Sequence, residues 1–248
     1  MKLVAVGNFR GGIGKTTTTV NLAHTFAKMG QKVLVIDADP QNNTTPFFTK
    51  VKENGKSIVE TIKAPERAEE YVEPSRYENI YVLKGSTALM GEELPKEKLG
   101  WLMAVKEKLD DEYDLCIVDT NPNLSSLTVS VLVAADLLLT PIGLNESSRD
   151  NLALLQEKIE PVIEQGLVWR VFAMKVDLNR KAQRDSLDDI VNKHSYPFLE
   201  HYISCAADVD NAWKYYKPVE RHRRKSVVVE EFYALAKEVY EVLESEVE

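Results

Sequence analysis

The 248-residue sequence predicts a doubly wound α/β fold, a mostly parallel sheet with helices on both faces, as a single domain over residues 1–248. Three observations carry this prediction. Short β-branched runs alternate strictly with longer amphipathic stretches, the pattern of successive βαβ units. The short runs are apolar almost throughout, as strands covered on both faces must be. No internal repeat and no low-complexity linker interrupts them.

Taken in order, strands are expected at residues 3–7, 32–36, 80–83, 114–118, 136–140 and 168–174. Helical periodicity falls between them, at 15–29, 96–109, 125–134, 149–165 and 184–194. Gly30 and Gly166 stand just past two of these helices, where glycine accepts the left-handed conformation that ends a helix. Residues 41–76 hold Pro46, Pro65 and Pro74 among mixed charges, and read as surface loops and short helices inserted after the second strand. The last helix carries an apolar stripe, Val229, Phe232, Ala236, Val239 and Leu243, expected to pack on the sheet.

Composition removes several classes of function. At 44% hydrophobic and 28% charged, the chain can bury a core and is not a disordered one. Its longest apolar run, residues 131–139, includes Asp136 and falls far short of the roughly 20 residues that span a bilayer. The opening apolar stretch is too brief for a secretory signal. Two cysteines, Cys116 and Cys205, exclude a disulfide scaffold and fit a reducing compartment, so a soluble cytoplasmic protein is expected. His24, His194, His201 and His222 show no metal-ligand spacing. The formal charge is −8, which counts against general nucleic-acid binding. The segment from Lys214 to Lys225 nevertheless concentrates Lys214, Lys217, Arg221, Arg223, Arg224 and Lys225 against Glu220 alone.

The sharpest local signal is Arg10-Gly11-Gly12-Ile13-Gly14-Lys15-Thr16-Thr17, after the first strand and opening the first helix. Gly11, Gly12 and Gly14 let backbone N–H groups turn inward around an anion, and the helix adds its positive N-terminal end. Lys15 can reach the β- and γ-phosphates of a nucleotide, and Thr16 can place its hydroxyl on Mg²⁺. Asp119 ends a hydrophobic strand where its carboxylate can hold the metal, and Asp37 and Asp39, after another strand, face the same crevice.

These residues resemble the ParA/MinD family of P-loop ATPases, whose variant loop reads Lys-Gly-Gly-x-Gly-Lys-Thr-Thr. The resemblance continues through Asp37-Ala38-Asp39-Pro40-Gln41-Asn42-Asn43, through Ile117-Val118-Asp119-Thr120-Asn121-Pro122, and through residues 134–142. It extends to the late stretch ending Lys217-Pro218-Val219, which in the family carries adenine contacts. The Asp-x-Asp-Pro-Gln form is closer to ParA than to MinD. The resemblance implies ATP and Mg²⁺ as cofactors, residues 10–17 around the nucleotide, Asp39 orienting the attacking water, and Thr16, Asp37 and Asp119 around the metal. It implies a nucleotide-sandwich homodimer formed on ATP binding, nonspecific DNA binding, and hydrolysis triggered by a ParB-like or other adaptor protein. A cytoplasmic, nucleoid-associated location follows, with a plasmid, chromosome or protein cargo.

One departure stands at Arg10, where the family has the lysine that crosses the dimer to the partner's phosphates. Arginine keeps the cation and adds a fork suited to phosphate, so catalytic and trans-phosphate roles carry over to it, with a cis contact or a surface ion pair as alternatives. Some cargo-positioning branches, such as those that distribute carboxysomes, also lack that lysine. For DNA the candidates are Lys214, Lys217, Arg221, Arg223, Arg224 and Lys225, with Lys175, Arg180, Lys181 and Arg184 as a second group; the alternative is a solvated charged rim. A dimeric adaptor without DNA binding is the second functional reading. A MinD-like membrane regulator is the third, and Glu230, Glu231, Glu238, Glu241, Glu244, Glu246 and Glu248 on the last helix oppose it.

Overall fold

Alternation along each strand sorts side chains to two opposite cores. In β1 (Lys2–Val6), Val4 and Val6 face one core while Leu3 and Ala5 face the other. In β2 (Val33–Ala38), Val33 and Val35 join the first, and Leu34, Ile36 and Ala38 the second. Burial of both faces is what a parallel sheet between two helical layers requires.

The structure, a computed structural model, describes residues 1–51, 55–193 and 196–245. The remaining strands are β3 (Glu73–Pro74), β4 (Ile80–Leu83), β5 (Leu115–Thr120), β6 (Leu137–Ile142), β7 (Val168–Val176) and β8 (Ile203–Ser204). They form one eight-stranded sheet in the order β3-β4-β2-β5-β1-β6-β7-β8. Every neighbouring pair is parallel except β3 with β4, which confirms the doubly wound, mostly parallel class.

One face is covered by α1 (Lys15–Lys28), α2 (Thr45–Phe48), α9 (Ala207–Lys214), α10 (Val219–His222) and α11 (Val227–Ser245). The other is covered by α3 (Ile58–Lys63), α4 (Ala68–Tyr71), α5 (Trp101–Leu109), α6 (Ser126–Ala134), α7 (Glu146–Ile163) and α8 (Lys181–Lys193). The expected stripe of α11 is fully packed on the sheet, with Val229, Phe232, Ala236, Val239 and Leu243 all buried. Two indoles are buried with their N–H groups satisfied: Trp101 donates to Ser130 Oγ at 2.9 Å and Trp169 to Thr140 Oγ1 at 3.0 Å.

The differences from expectation have local causes. The helix expected over 96–109 is divided: a single 3₁₀ turn, Lys96–Lys98, precedes Gly100, and α5 starts after it, since glycine is a poor interior helix residue. Residues 41–76 do hold short helices, but they are not merely surface loops. Phe47, Phe48, Ile58, Ile62 and Ala68 are buried in the two cores. The two-residue edge strands β3 and β8 are too short to carry a period, and Pro74 fits an edge position. Helices α7 and α8 each begin three residues before the expected start. His194, Glu246 and Glu248 lie outside the described residues. Among those described, no helix is long and apolar enough to cross a membrane.

Candidate nucleotide site

The sheet order places β1 between β5 and β6, with β2 and β4 laid down on one side of it and β6, β7 and β8 on the other. The crevice beyond the carboxyl end of such a switch strand is where open α/β sheets bind ligands. The glycine loop fills that crevice. Buried Asn8 anchors its start, donating to the Pro141 carbonyl at 3.0 Å and accepting from the Arg10 N–H at 3.0 Å and Asn151 Nδ2 at 2.6 Å. Gly12 and Gly14 adopt left-handed backbone, with φ of 75° and 100°. At Gly14 any side chain is doubly excluded, because a Cβ would also stand 2.9 Å from Met174 Cε. Helix α1 therefore begins at Lys15 with its first N–H groups directed at the crevice, an anion site by construction.

Lys15 is nearly fully buried and donates from Nζ to the Arg10 carbonyl at 3.2 Å. Burial pushes its pKa down, against the opposing pull of Asp119 and Asp39. Asp37 and Asp119 stand opposite each other in the β2–β5 register, both on the α1 side by strand parity and both fully buried. Asp119 Oδ2 accepts from Thr16 Oγ1 and Thr44 Oγ1, each at 2.6 Å. Asp37 Oδ2 accepts from the Thr44 N–H at 3.1 Å, the Thr45 N–H at 2.8 Å and Thr45 Oγ1 at 2.7 Å. Burial, with Asp119 adding like charge, raises Asp37 to about 7; burial is also the main cause that takes Asp119 to about 6. Asp39 lies just past β2, where its Oδ1 accepts from the Gln41 N–H at 2.9 Å and burial raises its pKa.

The second carboxylate oxygens of Asp37 and Asp119 are buried with no hydrogen-bond partner. Two half-satisfied buried carboxylates are costly unless a cation or its bound waters complete them. Together with the Thr16 hydroxyl they fit a magnesium ion, which keeps several waters and takes its other ligands from phosphate. Among the described residues no three His, Cys, Asp or Glu side chains form an all-protein metal cage. Gly85 keeps this corner closed: a Cβ there would lie 2.8 Å from Asn42 Oδ1 and 2.9 Å from Asp37 Cγ.

The resulting cavity measures about 450 Å³. Gly11, Gly12, Gly14, Lys15, Thr16, Thr17 and Asp39 line it as the sequence predicts, with Asp37 and Asp119 behind them. Ile13 and Arg10 do not line it. Ile13 is half-buried, and the exposed Arg10 guanidinium donates to Asn145 Oδ1 at 3.2 Å and to Ser147 Oγ at the start of α7. The six cations between Lys214 and Lys225 are exposed, and none of them lines the cavity. Arg223 pairs with Asp208 at 3.2 Å and Arg221 covers the Tyr77 ring at 5.5 Å. In the second basic group, Arg180 pairs with Asp177 at 3.1 Å, while Lys175 reaches the loop itself.

Sequence reasoning missed Thr44 and Thr45, whose adjacency to the Asp37–Asn43 motif was the available signal, and the place of Lys175 in the cavity; Val209, Asp210 and Trp213 belong to the late stretch, from Ile203 through Val219, that the family resemblance had pointed to. Tertiary packing alone brings Lys175 to the crevice.

A strand, a glycine loop clasping a helix N-terminus, a buried lysine and paired carboxylates define a P-loop nucleotide-binding protein. The chain belongs to the ParA-type family of P-loop ATPases; the family model described as an AAA domain matches residues 1–170. The chromosome-partitioning ATPase Soj of Thermus thermophilus is 34% identical over 163 residues, 65% of this chain and 63% of that protein. The chain thus spans less than two thirds of that relative's length. Among solved structures, an aspartate-to-alanine variant of McdA from Cyanothece in complex with ATP superposes with a TM-score of 0.83 at 20% identity, over 96% of each chain. Cobyrinic acid a,c-diamide synthase from Mycobacterium smegmatis, with a bound ATP analogue and magnesium, gives 0.83 at 22% identity, over 96% of this chain and 93% of that one. At these identities the likeness shows the fold.

Proposed function

We propose that residues 1–248 form one ATPase unit that binds ATP with Mg²⁺, pairs face to face with a second copy, binds DNA without sequence preference, and hydrolyses ATP when an adaptor protein of the ParB kind engages it. The carrying observation is the pair of buried carboxylates, each with one oxygen unclaimed, beneath a preformed phosphate loop.

The loop N–H groups and Lys15 hold the phosphate tail and offset its charge. A bound magnesium ion supplies charge neutralisation at the transferring phosphate. Thr16 Oγ1 and the unpaired oxygens of Asp37 and Asp119 would hold that ion, directly or through its waters. Asp39 lines the cavity wall and is not behind it, which supports a role in orienting the attacking water and taking up its proton. The raised pKa of Asp39 suits that task. The Arg10 guanidinium is exposed and stays out of its own cavity, which supports a contact with the nucleotide of a second copy. The exposed basic segment, doubled by two-fold symmetry, supports contact with DNA phosphates in the nucleoid. The buried stripe of α11 supports leaving a membrane out of the cycle.

A second reading, an adaptor dimer without DNA, draws on one observation: Arg223 and Arg221 are already engaged by Asp208 and Tyr77. The test of the main reading is nucleotide binding and turnover in two variants. Lys15→Ala is expected to lose ATP affinity at least ~10-fold, and Asp39→Ala to bind ATP, cease turnover and accumulate as dimer. Undiminished turnover in Asp39→Ala removes that residue from its role, and wild-type protein that takes up no ATP overturns the reading.

A further inference from the structure

Strand β7 ends with an irregularity that the fold does not need. Its register against β8 shifts between Met174, paired with Ile203, and Val176, paired with Ser204. Lys175, in that shift, has φ of 60°, a left-handed conformation that costs a long side chain about 1 kcal/mol or more. Its neighbours hold it there: Met174 packs beneath Gly14 and Val176 is buried in a small separate core. The shift sends the Lys175 side chain across the glycine loop, where Nζ donates to the Gly12 carbonyl at 2.9 Å. Lys175 is exposed and lines the same cavity as Lys15. Two lysines therefore line one crevice, Lys15 at the start of α1 and Lys175 near the end of β7.

We propose that Lys175 is a phosphate ligand of the bound nucleotide. It rests on the nucleotide reading above and adds to it a cation supplied by β7. The exposed hydrogen bond to the Gly12 carbonyl uses one of the three N–H donors of Lys175 and leaves two for a ligand. When a triphosphate enters, the flexible stem carries the charge onto the phosphate oxygens, where a mobile point charge serves better than a planar guanidinium held elsewhere, as Arg10 is. The backbone strain at Lys175 is the type found where a side chain must be aimed at a ligand.

The test uses full-length protein with ATP and Mg²⁺. Lys175→Met is expected to weaken ATP binding about 10-fold, with a shallower salt dependence and an unchanged melting temperature, and Lys175→Arg to recover most of the affinity. A purely bracing role would lower the melting temperature and leave the salt dependence alone. Independently of any variant, amine acetylation of wild-type protein, read by mass spectrometry at Lys175, is expected to fall when ATP is bound. Wild-type protein that binds no ATP sinks the nucleotide reading itself. Wild-type binding with equal affinity and salt dependence in Lys175→Met, or with Lys175 labelled equally with and without ATP, overturns the role assigned to this lysine.

Discussion

Asp37 and Asp119 face each other across two central strands, and their burial has a thermodynamic consequence without metal. Both carboxyls are raised in the folded state, to about 7 and about 6, so the folded chain binds protons that the unfolded chain releases. A raised carboxyl contributes stability at low pH that is lost as pH rises through its folded pKa. Metal-free protein should therefore gain on the order of 1 kcal/mol from Asp37 between pH 8 and pH 6. His24, which burial lowers to about 4, works in the opposite direction over the same window. The comparison that isolates the carboxyl is wild type against Asp37→Asn: the variant's denaturation midpoint should lack that gain, and Mg²⁺ with ATP should flatten the wild-type profile. Parallel profiles for the two proteins would show that Asp37 is not strained by its site.

Elements differ in how openly the sequence declares them. The β1–loop–α1 unit was legible because a short apolar run, the glycines and Lys15 are contiguous and each has a local physical reason. The placement of Asp37 and Asp119 on one face was legible as well, since strand parity carries it. The segment from residue 41 to 76 was not, because Phe47 and Phe48 lie in a four-residue helix whose partners come from distant parts of the chain. Phe47 meets Trp213 with ring centroids 5.1 Å apart and Tyr216 at 5.5 Å, joining α2 to α9 beside the cavity. Phe47→Ala should thus cost about 3–5 kcal/mol, read as a lowered denaturant midpoint, and should weaken ATP binding by loosening the Trp213 wall. A loss below ~1 kcal/mol would mean that α2 is only an appendage. Lys175 was hidden for a similar reason: a register shift between two strands has no signature in either strand alone.

At the scale of the molecule, a chain of formal charge −8 presents six exposed cations between Lys214 and Lys225. If that segment meets DNA as proposed, binding would depend on how the segments of two copies are presented together. Pairing of two copies through nucleotide would double the patch, so DNA affinity should track dimerisation. Arg10→Ala is expected to stay monomeric with ATP in sedimentation and to lose the ATP-dependent DNA shift. Arg221→Ala with Arg224→Ala is expected to dimerise yet release DNA at lower salt. A DNA shift that persists in monomeric Arg10→Ala would separate the two events and favour a different geometry of assembly.

The three tryptophans are disposed so that the chain can be watched without a label. Trp101 and Trp169 sit dry in the interior with their indole N–H groups bonded, and their emission should be steady whatever the state of the crevice. Trp213 is 37% exposed on the cavity wall and edge-on to Phe47. Its colour is set by how much solvent reaches that wall, which makes the intrinsic fluorescence of the native chain an optical gauge of occupancy, readable in real time through every turn of the cycle.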